Sequence, residues 1–147
     1  MKLNVVVDAP LPPDAVVAAL TDFSPRRLEI WQGISPDRYE VHEVGEHHAV
    51  VTEGGPEAIW ARERYEWDAN RVRWTVEESN FCTPGSYVEA HISQHGAGSR
   101  LDVHWERHPR NLMGMGMLGM MFLAGRLLLR KSISEGLAAA AAQPATA

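Results

Sequence analysis

Four residues in the middle of the chain are candidates for acid–base chemistry: Glu63, Tyr65, Glu78 and Arg107. A carboxylate on an apolar surface has a raised pKa unless a cation such as an arginine pairs with it. Either state of that carboxylate suits proton transfer to the enol of a small molecule. The same side chains could instead lie hydrated at the open end of a sheet and only orient a ligand or each other. Catalysis and simple orientation both remain open.

A predicted β-hairpin brings the two glutamates to one face. Its outer face pairs opposite charges: Asp68 with Arg71, Glu66 with Arg73 and Arg62 with Glu77. On its inner face, the predicted cross-strand pairs place Ala61, Glu63, Tyr65 and Trp67 opposite Glu78, Val76, Trp74 and Val72, respectively. A slip of one residue would move every side chain to the other face. The charge and apolar pairs therefore predict one register, with Glu63 and Glu78 inside.

A second hairpin, around Gly96 to Ser99, is expected to add Arg107 to the same inner face. Its predicted inner pairs are Leu101, Val103, Trp105 and Arg107 beside Gln94, Ile92, Ala90 and Val88. On the outer face, His91 and His104 are predicted to lie directly opposite each other, flanked by Glu89 and Glu106. We expect solvated histidines there and no metal, because no third ligand converges on them. The register of the hairpin from Tyr39 to Thr52 stays open, because its valines break the alternation.

The elements that must position these side chains follow from local patterns. The run Val5–Val7 predicts a strand, and the apolar spacing after it predicts two helices, over residues 14–21 and 26–31. Six β-rich runs between Tyr39 and His108, separated by Gly, Pro and Asn, predict a meander. Asn111 is the predicted N-cap of a helix from Leu112 to about Ala141. We therefore expect one domain over residues 1–142 and a frayed tail over residues 143–147.

The last helix is apolar and rich in methionine and glycine. Its predicted sheet-facing stripe has helical spacing and comprises Met115, Leu118, Phe122, Leu129 and Ile133. Its methionines would form a soft wall, whereas its interior glycines would cost roughly 1 kcal/mol each relative to alanine. Ordinary core filling is the alternative to a ligand-binding role. Arg126 interrupts the apolar run and Arg130 and Lys131 follow, so we expect no integral membrane span.

The whole composition excludes several classes of protein. The chain has 147 residues, 45% of them apolar, and a formal charge of -5. It contains no cluster of Lys or Arg that could track phosphates, so we expect no nucleic-acid partner. Cys82 is the single cysteine, which excludes an internal disulfide and a thiol-based zinc site. The start of the sequence does not have the pattern of a signal peptide, so we expect a cytoplasmic protein.

The N-terminal residues also carry a family resemblance. The segment Val5–Pro10, which ends in Asp-Ala-Pro, is followed by Val17–Phe23 and then by Trp31. This arrangement resembles the opening of SRPBCC superfamily proteins, also called START-like or polyketide cyclase/dehydrase and lipid-transport proteins. The predicted β-α-α-β6-α order resembles their helix-grip fold. The resemblance implies an α+β fold in which a curved antiparallel sheet of about seven strands wraps around the C-terminal helix.

The resemblance further implies a cavity for a sterol, polyketide, fatty acid or similar molecule between the sheet and that helix. The predicted lining residues are Trp67, Trp74, Val76, Ala90, Ile92, Val103, Trp105, Met115, Leu118 and Phe122. One fold can host several functions. We therefore keep three hypotheses: a binding protein or carrier, a polyketide cyclase or dehydratase, and a module whose methionine-rich helix docks on a protein or membrane. We expect no cofactor, and the sequence does not predict the oligomeric state.

Overall fold

A single antiparallel sheet of seven strands forms the body of the chain, and one long helix packs on it. The computed structural model describes residues 1–55 and 58–143. The elements in chain order are β1 (Lys2–Ala9), α1 (Pro13–Leu20), α2 (Arg27–Ile30), a short 3-10 helix (Pro36–Arg38), β2 (Glu40–Val44), β3 (His48–Gly54), β4 (Trp60–Trp67), β5 (Arg71–Ser79), β6 (Tyr87–His95), β7 (Gly98–Glu106) and α3 (Leu112–Ala142). The predicted α+β helix-grip fold is confirmed.

The first strand closes one edge of the sheet. The strand order is β1-β7-β6-β5-β4-β3-β2, so β1 pairs with the last strand and β2 forms the other edge. Alternate residues of β1 are buried, namely Leu3, Val5, Val7 and Ala9. Helix α3 packs along β1 on this buried side. The sheet strands farther from β1 are therefore left for other elements to cover.

The hairpin of β4 and β5 follows the predicted register only in part. From Trp67 back to Glu63 the pairs are as predicted, with Glu63 opposite Val76. A β-bulge then makes Glu77 an extra residue, so that Arg62 lies opposite Glu78. The Glu78 side chain is half-exposed on the outer face, where its carboxylate lies 3.3 Å from the Arg62 guanidinium. The prediction that Glu78 belongs to the inner face is wrong.

The hairpin of β6 and β7 has the predicted faces but different pairs. Gly96 and Ala97 form a two-residue turn, and Gly96 adopts a φ of 59°, which favours glycine. Because this turn is tighter than predicted, Leu101 lies beside Ile92 and not beside Gln94. The register is displaced by two residues, an even number, so no side chain changes face.

The structure defines the register of the β2–β3 hairpin, which the sequence left open. Val41 pairs with Val51 and Glu43 pairs with Val50, which leaves His42 as the extra residue of a bulge. All residues of β2 are exposed. The broken alternation of valines in the sequence thus reflects a bulged edge strand.

Helix α3 begins as predicted but presents a different face to the sheet. The Asn111 side chain accepts a hydrogen bond of 2.8 Å from the Gly114 amide, which confirms the N-cap. The buried residues of α3 are Gly114, Leu118, Gly125, Ile133, Gly136, Leu137 and Ala140. Met115 and Phe122 are exposed, so their predicted place in the sheet-facing stripe is wrong. In this part of the helix, Gly114, Leu118 and Gly125 lie against the fold, and the two large residues lie outside that face.

Three glycines of α3 are close-contact points. A Cβ on Gly114 would collide with the backbone carbonyl of Phe81, and one on Gly136 would collide with the indole of Trp31. A Cβ on Gly125 would meet the side chain of Leu3. By contrast, Gly116 has open space around its Cα. Only some of the glycines therefore have a packing reason.

We expect opposite effects from alanine at two of these positions. Gly114→Ala should lower the free energy of unfolding by about 1–3 kcal/mol, because the new methyl group has no room beside a backbone carbonyl. Gly116→Ala should raise it by up to about 1 kcal/mol, because alanine is the better helix former and meets nothing. Urea unfolding of both variants measures the difference. Equal effects at the two positions would contradict this packing of α3.

Candidate functional site

A partly enclosed cavity of about 830 Å³ lies between the sheet and the second half of α3. Trp31, which follows α2, forms one side, and Tyr65 and Trp74 of β4 and β5 contribute from the sheet. Leu129 and Ile133 of α3 form the opposite side. Pockets of about 300–1,000 Å³ with mostly apolar walls are typical of sites for small organic molecules.

A closed polar cluster stands at the wall of this cavity. The Arg27 guanidinium donates to one carboxylate oxygen of Glu53 through Nε and to the Tyr65 hydroxyl through Nη2, over 3.0 Å. The Tyr65 hydroxyl in turn donates to the other Glu53 oxygen over 3.3 Å. Arg27 also donates to the backbone carbonyl of Leu20 over 3.1 Å. The cluster joins α2, β3 and β4, and each of Arg27, Glu53 and Tyr65 is hydrogen-bonded to the other two.

Aromatic side chains hold this cluster in place. The Arg27 guanidinium carbon lies 4.7 Å from the ring centre of Phe23 and 5.2 Å from that of Tyr65, which are cation–π distances. Tyr65 also stacks on Trp74, with ring centres 5.5 Å apart. Burial of an arginine requires such partners because an unpaired buried charge is costly. Arg27, which is only 4% exposed, is therefore a fixed part of the cavity wall.

The protonation states of this cluster follow from burial and charge. Burial raises the pKa of the Tyr65 hydroxyl well above its ordinary value, and the neighbouring Glu53 charge adds to the effect. Burial alone would lower the pKa of Arg27, but its interactions with Glu53, Tyr65 and Tyr39 together more than offset this and the net pKa is raised. At neutral pH, Tyr65 is therefore a neutral hydroxyl and Arg27 is a cation.

A second, smaller cavity of about 220 Å³ adjoins the first and shares Glu53 with it. It is lined by Glu63 and Arg107, whose carboxylate oxygen and guanidinium nitrogen are 2.6 Å apart. Arg107 also reaches the sulfur of Cys82 at 3.7 Å. Burial raises the pKa of the Glu63 carboxyl, while the Arg107 charge opposes the rise. The second cavity thus contains a buried ion pair.

The structure separates the four predicted acid–base residues. Glu63 and Arg107 lie together in the smaller cavity, as a pair on the inner face. Tyr65 lines the larger cavity, and its hydrogen bonds go to Arg27 and Glu53. Glu78 lies outside both cavities. The four side chains do not form one constellation.

The predicted ligand-binding residues are also dispersed. Trp74 lines the larger cavity. Seven others pack in the core or against it and line neither cavity: Trp67, Val76, Ala90, Ile92, Val103, Trp105 and Leu118. Met115 and Phe122 lie on the outside of α3. The larger cavity lies beside α2 and the second half of α3, and not beneath the methionine-rich first half.

Sequence reasoning missed Arg27 and Glu53. An arginine in a short helix is usually exposed, so the sequence contains no direct signal for the burial of Arg27. Glu53 could have been found by extending the register from β4, since Ala49, Val51 and Glu53 lie opposite Tyr65, Glu63 and Ala61. The missing register of the β2–β3 hairpin prevented that step.

The outer-face histidines do not lie opposite each other. His91 pairs with Asp102, and the rings of His91 and His104 are 6.0 Å apart, edge to face. The His91 imidazole is hydrogen-bonded to Glu89 over 2.7 Å. Among residues 1–55 and 58–143, no group of three His, Cys, Asp or Glu side chains is arranged to hold a metal ion.

Comparisons with known proteins identify the fold. No protein-family model and no curated protein matches the sequence. The solved structure of TTHA0849 from Thermus thermophilus is similar over 99% of this chain and 100% of its own, with a TM-score of 0.78 and 14% identity. The Zhui aromatase/cyclase from Streptomyces sp. R1128 is similar over 98% of this chain and 96% of its own, with a TM-score of 0.76 and 15% identity. A START superfamily protein from Mycobacterium smegmatis matches over 90% and 96%, with a TM-score of 0.68 and 8% identity.

The buried pair in the smaller cavity generates a stability prediction. Glu63→Gln should lower the free energy of unfolding by about 3–5 kcal/mol, because Arg107 is left buried without its counter-charge. The double variant Glu63→Leu/Arg107→Met should cost less than the sum of its two single substitutions, because it leaves no unpaired charge. Urea unfolding of the four proteins of this cycle measures the coupling. Additive effects would show that the two groups are independently solvated.

Proposed function

Since this chain has the helix-grip fold of the SRPBCC superfamily, we propose that it binds a small hydrophobic molecule in the cavity between the sheet and the second half of α3. The observation that carries the proposal is the cavity of about 830 Å³ against Tyr65 and Trp74. Protein interiors are otherwise close-packed, so a cavity of this size in a small domain is a candidate site for a small molecule. The free, buried thiol of Cys82 is compatible with a carrier in the reducing cytoplasm.

The walls indicate the kind of molecule that fits. Flat aromatic faces and branched aliphatic side chains suit a ligand with rings or a compact apolar body. The polar cluster has one cation, Arg27, and one anion, Glu53, so it favours a ligand without net charge. Glu53 uses one hydrogen bond on each carboxylate oxygen and can accept another from a ligand hydroxyl. We therefore propose a neutral, largely apolar ligand with a hydroxyl group near Glu53.

A pair of tryptophan substitutions on neighbouring residues tests the binding site. Ala139 lines the cavity, whereas Ala138 is exposed and does not line it. Ala139→Trp should weaken binding of the neutral fluorescent probe N-phenyl-1-naphthylamine by about ten-fold or more, because the indole occupies the space of the ligand. Ala138→Trp should bind the probe like the original chain. Far-UV circular dichroism and urea unfolding establish that both variants are folded.

Equal probe binding by the two tryptophan variants would reject the cavity as the binding site. Native mass spectrometry of protein purified without denaturation provides independent evidence. A molecule that co-purifies with the original chain but not with Ala139→Trp would identify the ligand class directly.

A second candidate function is that of a cyclase or dehydratase acting on a polyketide-like substrate. The observation that favours it is the buried carboxyl of Glu63, whose pKa burial raises, in a cavity that adjoins the larger one. Tyr65 offers a neutral hydroxyl in the larger cavity, and the Zhui neighbour is named an aromatase/cyclase. Glu63 would move a proton, while Arg107 and Tyr65 would hold oxygen atoms of the substrate.

Turnover by a Glu63 variant separates the two functions. If the chain is a cyclase, Glu63→Gln should abolish turnover of a poly-β-ketone substrate and leave its affinity roughly intact, because the amide cannot transfer the proton. Turnover is measured by mass spectrometry of the products, at a temperature where the variant is folded. Unchanged turnover would remove Glu63 from the mechanism, and absence of turnover in the original chain would favour the carrier.

A further inference from the structure

The first half of α3 exposes an apolar face that the described residues do not cover. Its most exposed members, all between 73% and 89%, are Leu112, Met120, Leu123 and Leu127. Gly116 lies among them with open space above its Cα. A helix that lies on the surface of a soluble domain usually has polar residues on its outer side. A continuous exposed apolar face instead indicates an interaction surface.

The charged residues of this part of the chain are all cations, and the nearest carboxylate along α3 is that of Glu135, 3.8 Å from Lys131. The stretch from Pro109 to Ser134 contains no acidic residue, although the whole chain has a formal charge of -5. It contains four cations: Arg110, Arg126, Arg130 and Lys131. An anionic surface would attract such a face, whereas a second copy of the chain would bring cations close to cations. The charge pattern therefore favours an anionic lipid surface over a second copy.

The helix is part of the fold and cannot easily leave it. Over an 18-residue stretch α3 has a mean hydropathy of 1.7 with 17% of the stretch buried, so by length and composition alone it could cross a membrane. However, Leu118 and Leu137 are completely buried, and Gly114 lies directly against the Phe81 backbone. A spanning helix would have to give up these contacts. These observations favour a helix that lies in the membrane interface with its outer face down.

The exposed face continues to the mouth of the cavity. Leu128 is 52% exposed and also lines the larger cavity. Lys131, whose side chain is 69% exposed, also lines this cavity. A surface that contacts Leu123 and Leu127 would therefore lie beside the opening through which a ligand enters.

We propose that the outer face of α3, centred on Leu123 and Leu127 and flanked by Arg126 and Arg130, docks on an anionic lipid bilayer. Docking places the mouth of the cavity at the membrane, so that the apolar ligand is exchanged with the bilayer. The exchange step rests on the proposed binding function, whereas the docking itself does not. This difference allows the two to be tested separately.

Vesicle flotation of the full chain tests the docking. The chain should float with vesicles of phosphatidylcholine and phosphatidylglycerol, bind pure phosphatidylcholine less well, and be released by high salt. Arg126→Gln/Arg130→Gln should weaken binding roughly 25-fold, on the basis of about five-fold for each cation near an anionic surface. The matched control Arg64→Gln/Arg71→Gln, which removes two half-exposed cations from the sheet, should bind like the original chain.

A matched pair of double variants tests the apolar contribution to docking. Leu123→Ser/Leu127→Ser should abolish flotation and leave binding of N-phenyl-1-naphthylamine in solution unchanged, because neither leucine lines the cavity. Val41→Ser/Val44→Ser, which removes two exposed side chains from β2, should float normally. Far-UV circular dichroism checks that all variants are folded.

Three results would overturn the proposal. One is the absence of flotation with anionic vesicles, and another is equal flotation by the leucine and valine variants. The third is a dimer in analytical ultracentrifugation that Leu123→Ser/Leu127→Ser converts to a monomer, without vesicle binding, which would assign the face to a second copy.

If flotation fails while Ala139→Trp still blocks the probe, docking is rejected and ligand binding stands. If flotation holds and Ala139→Trp has no effect on the probe, only ligand binding is rejected.

Discussion

The close approach of α3 to one edge of the sheet determines where the molecule is filled and where it is hollow. Gly114 and Gly125 let the helix lie directly on the Phe81 backbone and on Leu3 of β1. Gly136 lets it pass the indole of Trp31. The helix thus runs along β1, whereas Tyr65 and Trp74 stand on β4 and β5, four and three places away in the strand order. Space remains between these two aromatic residues and the second half of α3, and this space is the larger cavity.

Two buried ion pairs border the cavities, and their energetics indicate why polar groups occur in so apolar a region. Arg27 pairs with Glu53 beside the larger cavity, and Glu63 pairs with Arg107 in the smaller one. Because desolvation offsets most of the attraction within a buried pair, such pairs contribute little net stability. In some proteins, buried polar groups instead impose one arrangement on their surroundings. Here that arrangement fixes Tyr65, which connects the Arg27 pair to the aromatic stack of the cavity wall.

The sequence predicted the fold and much of the sheet, because alternation and charge pairing act locally. The inner placement of Glu63 and Tyr65 followed from the charge pairs between β4 and β5. The placement of Glu78 failed because a bulge needs one extra residue, and Glu77 and Glu78 are identical in type. The β6–β7 pairs failed by two residues because a two-residue and a longer turn preserve the same faces. Bulges and turn lengths are decided by neighbouring strands, which a local pattern does not contain.

The candidate site was less predictable than the fold, because tertiary contacts decide it. Apolar spacing alone places Met115 and Phe122 toward the sheet, but the contact of Gly114 with the Phe81 backbone rotates the helix away from them. An analysis of apolar periodicity counts only apolar side chains and therefore ignores glycine. It is the missing side chain of Gly114, however, that permits the contact. The same rotation that removes these residues from the interior leaves the apolar face of Leu112, Leu123 and Leu127 outside. The hydropathy of α3 therefore reflects two different requirements: one face of the helix packs against the fold along its length, and the first half also carries an exposed apolar face.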